Sequence, residues 1–508
     1  MRDVSTEPNF PLNTHGGPMV AAVFFTCIIV FAALVEGAMH NESQDIIRFP
    51  LYRGHATRRR LDDGGATFNE QRLGATFATH YVELYLGMPP QRSTAIVDTG
   101  SALTAVRCAS CTTCGKNSNR APYDTSKSTT GRNLTCREYP GTCRPCGDNV
   151  CYIQQTYADA STWSGFAMEE RGTIGPLGGG NVSADVIHAN SVTMTVACQT
   201  NVQGHFVSDI ETGILGMQQG DTSILAAMVR AGRVARNAFS LCLSIDGGSF
   251  VLGGHDTALH DGSVAYTPLV RPPSNKFYSV DVLDVVVGNT SLGLDPVYFV
   301  GSGGNSFVVD SGATRSTLPS VVINRLNAVL QAVANVRFDA SVMTPAVVAR
   351  LPTLHLILRG PPGGPNVTLD IPPTQYILEQ PAAGGGGYGL GFTAANSDTG
   401  GFLGANVLLN YDVVFDLDNQ QVGFAKATCT RTAETSALNS LLRESLLMIL
   451  PSDVDSTLMR PPVAMSSAPS TTTATPMKPS SATPAAPDSW TLVTAAAVYI
   501  LVLHGLQR

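Results

Sequence analysis

The sequence predicts an all-β, mostly antiparallel protein with two related lobes around a central cleft. Short alternating or continuous apolar runs are separated by Gly, Pro, Asn and Asp, the pattern of many short strands. The composition is rich in Gly (49) and Pro (31), and only 14% of the residues are charged. One short motif occurs twice in the 508 residues, so the chain has both the length and the internal repeat of a two-lobed protein.

The repeated motif places an aspartate between an apolar strand and a glycine turn. Its copies are TAIVDTGSALT at residues 94–104 and NSFVVDSGATRSTL at residues 305–318, an offset of 310 − 98 = 212 residues. A buried carboxylate is unfavourable unless hydrogen bonds satisfy it or it has a chemical function. An Asp-Thr-Gly triplet also occurs at residues 398–400, but it follows no apolar strand and predicts an ordinary turn.

Two carboxylates at strand tips can meet across a pseudo-twofold axis, and we predict that Asp98 and Asp310 do so. At about 3 Å they cannot both ionise, so they share one proton and titrate as a pair. One carboxylate then takes a proton from water while the other donates a proton to a substrate carbonyl. This chemistry hydrolyses a peptide bond without a covalent intermediate, and we expect no metal or organic cofactor.

The residues around each aspartate are expected to support it. The hydroxyls of Thr99 and Ser311 can lock the two turns together, and Gly100 and Gly312 allow close approach of backbone amides. The alternative is that both aspartates are turn residues of a repeated, non-catalytic β domain. A second paired feature favours the catalytic interpretation. GILGM and GFLGA each follow one Asp copy, and a strand of this kind behind each Asp loop would complete both halves.

The motifs VDTGS, GILGM, VVDSGAT and FLGANVLLNYDVVFDLDNQQVGFA, in this order, resemble those of the pepsin-like aspartic proteases, peptidase family A1. The resemblance covers roughly residues 74–429. It implies the bilobal pepsin-like acid protease fold, a cleft that holds an extended polypeptide, and Asp98 and Asp310 as the catalytic pair of an endopeptidase. It also implies a flap hairpin at residues 154–165 with Tyr157 as its tyrosine. Without the resemblance, Tyr157 is interpreted as a half-buried strand residue.

The sequence departs from the family pattern at two places. The stretch SALTAVRC lacks the tryptophan that the family often has near the flap tyrosine, and the sequence alone does not assign that role to Trp163. Ala313 stands where the family frequently has a hydroxyl residue. Ser101 can therefore donate an outer hydrogen bond to Asp98, whereas the Ala313 side chain cannot do so for Asp310. Loss of a hydrogen bond to the ionised form raises a pKa, which predicts a mildly acidic to neutral optimum.

Ten of the eleven cysteines are expected to be paired in an oxidising compartment. The C-x2-C-x2-C run could bind metal in a cytosolic protein, but an apolar N-terminal run at residues 19–35 favours secretion and disulfides. Seven of the ten form a cluster, so one of the seven is expected to pair outside it. The cluster resembles the cysteine-rich N-lobe of nepenthesin-like and, most closely, membrane-bound plasmepsin V-like enzymes. The ten are Cys108, Cys111, Cys114, Cys136, Cys143, Cys146, Cys151, Cys198, Cys242 and Cys429.

Two segments are expected before the protease lobes. Residues 1–38 are predicted to be a signal peptide, with an uncleaved signal anchor as the alternative. Residues 39–73 are predicted to be a basic pro-segment in which RRR, at residues 58–60, is available to a processing protease. The alternative for residues 39–73 is a flexible arm. The N-terminal lobe with its cysteine-rich insert is then expected at residues 74–265.

The C-terminal lobe is expected at residues 266–430, followed by membrane attachment. Residues 431–489 predict an amphipathic helix and a Ser/Thr/Pro-rich stalk. Residues 490–508 predict a hydrophobic anchor, either a short transmembrane helix or a glycolipid-anchor signal. The expected location is a membrane of the endoplasmic reticulum, the Golgi or the cell surface, with the protease on the lumenal or extracellular side.

Other features of the sequence limit its possible functions. The net charge of −7 provides no basic surface for nucleic acid, and the sequence lacks the G-x-S-x-G motif of serine hydrolases. We expect a monomer. The alternatives to an endopeptidase are a catalytically silent peptide-binding protein on the same fold and a surface adhesin. Five sequons predict glycosylation at Asn41, Asn133, Asn181, Asn289 and Asn366.

Overall fold

The computed structural model describes residues 46–53, 80–116, 118–147, 149–175, 183–270, 276–300, 306–335, 343–380 and 387–429. The predicted signal segment, the stalk and its helix, the C-terminal apolar segment, and the sequons at Asn41 and Asn181 lie outside these residues. Among the helices in the described ranges, none combines the length and apolar character needed to cross a bilayer.

Strands dominate the described residues, as the sequence predicts. The strands up to residue 252 are β1 (Ile47–Arg53), β2 (His80–Leu86), β3 (Gln91–Asp98), β4 (Thr104–Arg107), β5 (Arg132–Asn133), β6 (Cys146–Gly147), β7 (Val150–Thr156), β8 (Thr162–Ile174), β9 (Val192–Gln203), β10 (Gly213–Gly216), β11 (Ala238–Ser244) and β12 (Gly247–Leu252). The strands from residue 265 onward are β13 (Ala265–Pro268), β14 (Ser279–Val280), β15 (Val282–Val287), β16 (Thr290–Ser291), β17 (Phe307–Val309), β18 (Ser316–Leu318), β19 (Leu354–Leu358), β20 (Val367–Ile371), β21 (Ile377–Gln380), β22 (Gly387–Leu390), β23 (Phe392–Ala394), β24 (Gly401–Leu403), β25 (Tyr411–Asp416) and β26 (Gln421–Lys426).

Helices are few and mostly short in the described residues. They are α1 (Ala184–Asn190), α2 (Ile224–Arg230), α3 (Val297–Val300), α4 (Ser320–Ala334), α5 (Pro345–Val348), α6 (Pro373–Tyr376) and α7 (Ala405–Leu408). The longest of them is α4, with 15 residues. In α4, Val322, Leu326, Val329 and Leu330 are buried on one face, which packs against β15. This helix ends at Asn335, which adopts the left-handed conformation with φ +51°.

One sheet of 15 strands carries most of the fold. Its order is β13-β26-β25-β11-β12-β1-β2-β3-β10-β4-β9-β8-β7-β6, and β5 pairs with β8. Smaller sheets have the orders β14-β17-β24-β18-β23, β16-β15-β19-β20 and β21-β22. Pairing is antiparallel except for β3–β10, β4–β9, β17–β24 and β18–β23, which are parallel.

The parallel pairs reveal the same arrangement in both halves. Strand β10 lies between β3 and β4, and β24 lies between β17 and β18. The repeated sequence thus produces a repeated structure in which a later apolar strand completes each Asp loop. A β-carbon on Gly216 would approach the Leu103 backbone nitrogen to 2.5 Å, and one on Gly404 would approach the Ala313 carbonyl oxygen to 2.6 Å. Both motifs therefore require glycine at the corresponding position.

Strand β1 comes from the middle of the predicted pro-segment, and it is a core strand. It pairs with β12 over five residues and with β2 at its end. Phe49 and Leu51 are each 3% exposed, and Arg48 Nε donates to Asp256 Oδ2 at 2.6 Å. The flexible-arm interpretation therefore does not hold for Ile47–Arg53, which the apolar side chains fix in the sheet.

Truncation of Phe49 tests the contribution of this strand. We expect Phe49→Ala to lower the free energy of unfolding by about 3–5 kcal/mol, because it removes a buried ring that packs against Phe250 and leaves a cavity. Chemical denaturation of the full chain measures the change. Ile245→Ala is the control: its side chain is 53% exposed, and the expected change is within about 0.5 kcal/mol. Equal effects of the two substitutions would contradict a core role for β1.

All ten described cysteines are in disulfides, as the even count predicts. One member of the N-terminal cluster pairs outside it, with a cysteine of β9, and this accounts for the odd number in the cluster. Because all three cysteines of the C-x2-C-x2-C run are oxidised, they are not thiolate ligands. The pairs are Cys108–Cys198, Cys111–Cys114, Cys136–Cys146, Cys143–Cys151 and Cys242–Cys429.

Candidate active site

The fold brings Asp98 and Asp310 together, as the repeat predicts. Asp98 is the last residue of β3, and Asp310 directly follows β17. Their side chains interact through a hydrogen bond. Asp98 is 5% exposed and Asp310 is half-buried. The two carboxyl groups, 212 residues apart in the chain, therefore form one site.

The two glycine turns hold their carboxylates in the same way. Gly100 N–H donates to Asp98 Oδ1 at 2.8 Å, and Gly312 N–H donates to Asp310 Oδ1 at 2.9 Å. Each glycine also lies against the opposite carboxylate. A β-carbon on Gly100 would stand 2.6 Å from Asp310 Oδ2, and one on Gly312 would overlap the Asp98 carboxyl group. Only glycine allows both turns to approach the pair this closely.

Two buried hydroxyl residues join the turns reciprocally. Thr99 N–H donates to Ser311 Oγ at 3.2 Å, and Ser311 N–H donates to Thr99 Oγ1 at 3.0 Å. Each hydroxyl in turn donates to a carbonyl oxygen of the opposite strand, Val309 at 2.8 Å and Val97 at 2.7 Å. Every polar group of this connection is satisfied, so the relative position of the two aspartates is fixed through short, buried hydrogen bonds.

The outer hydrogen bonds differ between the two halves, as the sequence predicts. The Ser101 hydroxyl donates to Asp98 Oδ2. At the equivalent place Ala313 has no hydroxyl, and it contributes only its backbone N–H, which donates to Asp310 Oδ1 at 3.3 Å. Asp98 is therefore better supported in its ionised form than Asp310.

The pKa values follow from burial and from this difference. Burial raises the pKa of Asp98, and the Ser101 hydroxyl is the strongest opposing influence. Burial, and next the charge of Asp98, raise the pKa of Asp310 well above its usual value. The pKa of Asp310 is thus raised well above its usual value, that of Asp98 is also raised, and the two groups titrate as a pair.

A hairpin lies where the sequence predicts the flap. Strands β7 and β8 pair from Tyr152 to Thr156, and the tip is closed by a hydrogen bond from Tyr157 N–H to the Ser161 carbonyl oxygen at 2.9 Å. Tyr157 is half-buried at the end of β7. Burial, and next the charge of Asp98, raise its pKa, so its hydroxyl stays protonated near the dyad.

Trp163 supports Tyr157, a role that the sequence left unassigned. Its indole Nε1–H donates to the Tyr157 hydroxyl oxygen at 3.1 Å, and its side chain is 1% exposed. Phe206 packs edge-on against the Tyr157 ring at a centroid distance of 5.1 Å. Trp163 lies on the second arm of the hairpin, opposite Gln155. The only sequence signal was its occurrence inside the flap segment, since the partner atom depends on hairpin register.

We expect Trp163→Phe to reduce kcat/KM for peptide cleavage about fivefold, the equivalent of one ordinary hydrogen bond. Phenylalanine keeps an aromatic ring but cannot donate to the Tyr157 hydroxyl. The same substitution in a Tyr157→Phe background is the control, because the hydrogen bond is already lost there. An equal loss in both backgrounds would show that Trp163 acts through packing and not through this hydrogen bond.

The remaining predicted positions lie on the surface. Asn133, Asn289 and Asn366 are exposed, in β5, in the turn between β15 and β16, and directly before β20. Asp398 is exposed in a bend four residues after β23, whose last two residues are also exposed, in agreement with an ordinary turn. This Asp-Thr-Gly triplet is thus distinguished from the turns at Asp98 and Asp310 by what precedes it.

Two half-structures that each present an aspartate in a glycine turn, joined by reciprocal hydroxyl bonds under a hairpin, define the class of aspartic proteases. The chain belongs to the eukaryotic aspartyl protease family, which it matches over residues 79–427.

The sequences of individual relatives support this family assignment. Aspartic proteinase 36 of Arabidopsis thaliana is 26% identical over 411 residues, covering 75% of this chain and 81% of that protein. Aspartic proteinase nepenthesin-1 of Nepenthes gracilis is 25% identical over 419 residues, covering 78% and 89%. Beta-secretase of Strongylocentrotus purpuratus is 26% identical over 401 residues, covering 70% and 67%. These relatives identify the family and not a branch, so the plasmepsin V-like resemblance stays a prediction.

Proposed function

We propose that the protein is an endopeptidase that hydrolyses proteins of the secretory pathway by water activation at the Asp98–Asp310 pair. The observation that carries the proposal is the reciprocal Thr99–Ser311 connection, which supports the direct interaction of the buried Asp98 and half-buried Asp310 carboxyl groups. Keeping two such groups together is unfavourable unless they share a proton, and that is the state that acid–base hydrolysis requires.

The two aspartates have different roles in the proposed mechanism. Asp98, supported by Ser101, starts ionised and accepts a proton from the attacking water. Asp310, with its raised pKa, starts protonated and donates to the oxygen of the scissile carbonyl. The product is a neutral tetrahedral diol, and return of a proton to the leaving nitrogen breaks the C–N bond. Tyr157 lies on the flap, where it can position the substrate chain.

The pH optimum follows from the same pair. Activity rises as Asp98 ionises and falls as Asp310 loses its proton. Because both pKa values are raised, both limbs lie at higher pH than for free aspartates, and we expect a mildly acidic to neutral optimum. A maximum near pH 2–3 would contradict this assignment.

Ala313→Ser tests the origin of the alkaline limb. A hydroxyl at this position donates to ionised Asp310 and lowers its pKa, so the proton is lost earlier as pH rises. We expect the alkaline limb of kcat/KM to move down by about one pH unit. The reciprocal change Ser101→Ala removes a donor to ionised Asp98 and should move the acid limb upward. Limbs that stay fixed in both variants would contradict the assigned roles.

The cellular setting is also part of the proposal. Five disulfides support folding in an oxidising compartment, lumenal or extracellular. Glycans at the exposed Asn133, Asn289 and Asn366 agree with that compartment. Membrane attachment through residues 490–508, cleavage of the pro-segment and a monomeric state rest on the sequence alone.

Cleavage of a randomised peptide library by the purified full chain across pH 3–8 tests the proposed activity. Internal cleavage that is lost on substitution of either aspartate supports the endopeptidase. Peptide binding without cleavage, by a correctly folded and oxidised protein, would instead support the silent peptide-binding protein. The cut positions define the side chains that the cleft accepts.

A further inference from the structure

The Cys111–Cys114 loop lies directly on the elements that support the flap. Thr113 Oγ1 accepts a hydrogen bond from Val202 N–H of β9 at 2.8 Å. On the other side of the loop, Gly115 is so close to the Val207 carbonyl oxygen that a β-carbon would overlap it. Val207 ends the 3-10 helix Gly204–Val207, so the loop contacts both β9 and this helix.

Both contacts involve residues next to the neighbours of Tyr157. Val202 is the strand partner of Trp163, whose indole donates to the Tyr157 hydroxyl. Phe206, the neighbour of Val207, packs against the Tyr157 ring. Trp163, Val202 and Phe206 share one buried cluster, and Cys111 and Cys114 pack against it. The loop therefore supports Tyr157 from two directions without touching the dyad itself.

The Cys111–Cys114 pair is less buried than the Cys108–Cys198 and Cys242–Cys429 pairs, which favours its reaction with thiols. Both cysteines are half-buried, and the two threonines between them are exposed. By contrast, Cys108 and Cys198 are 2% and 0% exposed, and Cys242 and Cys429 are 0% and 4% exposed. Cys114 N–H donates to Cys111 Sγ at 3.2 Å, and this hydrogen bond would stabilise a thiolate at Cys111. Cys111 is thus the better leaving group.

We propose that the Cys111–Cys114 disulfide is a redox switch that a dithiol reductant opens and that sets the position of Tyr157 over the dyad. One thiolate of the reductant attacks Cys114 Sγ, the Cys111–Cys114 bond breaks, and Cys111 leaves as a thiolate. The second thiolate of the reductant then attacks its own sulfur in the mixed disulfide and releases Cys114. Two electrons and two protons pass to the cysteine pair, and the dithiol becomes a disulfide.

The switch is separable from the stability of the fold. A disulfide stabilises a protein mainly by closing a loop in the unfolded chain, and longer loops give more stabilisation. Cys111 and Cys114 are only 3 residues apart in sequence. Opening this disulfide therefore affects the local contacts at Thr113 and Gly115 more than global stability. The inference rests on the proposed function, because Tyr157 has a role to lose only if the dyad cleaves peptides.

The test uses the full chain with Trp490→Phe, which leaves Trp163 as the only tryptophan of the two. In this background we compare the oxidised protein, the protein after mild dithiothreitol treatment, and Cys111→Ser/Cys114→Ser. Differential alkylation with mass spectrometry identifies the reduced pair. We expect reduction or substitution to lower kcat/KM about tenfold, as for a misplaced active-site group, and to shift the Trp163 emission to longer wavelength.

Two controls make the result specific. Cys136→Ser/Cys146→Ser removes another disulfide, whose Cys136 also packs against the buried cluster but whose Cys146 pairs at the beginning of β7 and not at Val202 or Val207; activity and emission should stay unchanged. Thr113→Ala should reproduce part of the loss with the disulfide intact, whereas Thr113→Ser keeps the oxygen that accepts from Val202 and should not.

The outcomes separate the two proposals. Unchanged kinetics and emission after confirmed reduction of Cys111–Cys114, or an equal loss in the Cys136/Cys146 control, would overturn the switch. An oxidised protein without any peptide cleavage would overturn the proposed function instead, and the emission of Trp163 on reduction would still decide whether the loop positions the flap.

Discussion

Asparagine in place of Asp310, and separately of Asp98, is expected to reduce kcat roughly 10⁴-fold, the scale of a lost general acid or base. Asparagine has nearly the same shape as aspartate and keeps an oxygen for the turn amides of Gly100 and Gly312. It cannot exchange a proton with water or with the substrate carbonyl. Activity should therefore disappear while the fold is retained.

Asp398→Asn is the matched control for both substitutions. It changes the aspartate of another Asp-Thr-Gly triplet, which lies in an exposed bend outside the site, and full activity is expected. Initial rates on a peptide selected from the library measure all three variants. Substantial cleavage by either dyad variant would refute acid–base hydrolysis by the pair and would require a different catalytic group.

Asp310→Asn also has a consequence for the stability of the protein. The pKa of Asp310 is raised in the folded protein. The stability that protonated Asp310 contributes is therefore fully present below its pKa in the unfolded chain, about 4, and is lost as pH rises through its pKa in the folded protein. Asp310→Asn removes this dependence. We expect the variant to be the more stable protein at neutral pH and to lose this advantage toward acid pH. Thermal unfolding at several pH values measures the difference.

Gly100→Ala should be the second most damaging change, with a loss of about 10²-fold in kcat/KM. The added carbon would lie 2.6 Å from Asp310 Oδ2 and 2.8 Å from its Cγ, which is inside van der Waals contact. The nearest atoms all belong to the carboxyl group, so that group must move. Because Asp310 would leave its position beside Asp98, the shared proton would be lost with it.

Gly262→Ala is the control for this effect. A β-carbon at Gly262 meets no atom within 4 Å, so neither activity nor stability should change measurably. Steady-state kinetics and thermal unfolding of the two variants are compared directly. If Gly100→Ala were as active as Gly262→Ala, the close contact between the first turn and the second carboxylate would not matter for catalysis.

Much of the site is predictable because its chemistry depends on local patterns. An apolar strand followed by Asp, a hydroxyl residue and glycine identifies both carboxylates and their supporting groups, and the same rule excludes Asp398. The absence of a hydroxyl at Ala313 predicts the weaker support of Asp310. These conclusions hold because a residue's own turn supplies most of the contacts on which they depend.

Contacts between strands that are distant in the sequence could not be derived from such local patterns. The Trp163–Tyr157 hydrogen bond depends on the register of the flap hairpin, and the Cys108–Cys198 and Cys242–Cys429 disulfides depend on which strands are neighbours. The pairing of Ile47–Arg53 with β12 and β2 could not be derived either, because an apolar run before the first lobe has no local signal for its partner strands.

The sequence by itself determined the fold class, the two aspartates that meet in the site and the asymmetry of their hydrogen bonds, since each follows from residues adjacent in the chain. Only the tertiary structure decided the partners of Cys108 and Cys111, the support of Tyr157 by Trp163 and Phe206, and the burial of Phe49 between its neighbouring strands. The physical reason is that hydrogen-bond register and side-chain packing between distant strands are set by the whole sheet, and no single segment encodes them.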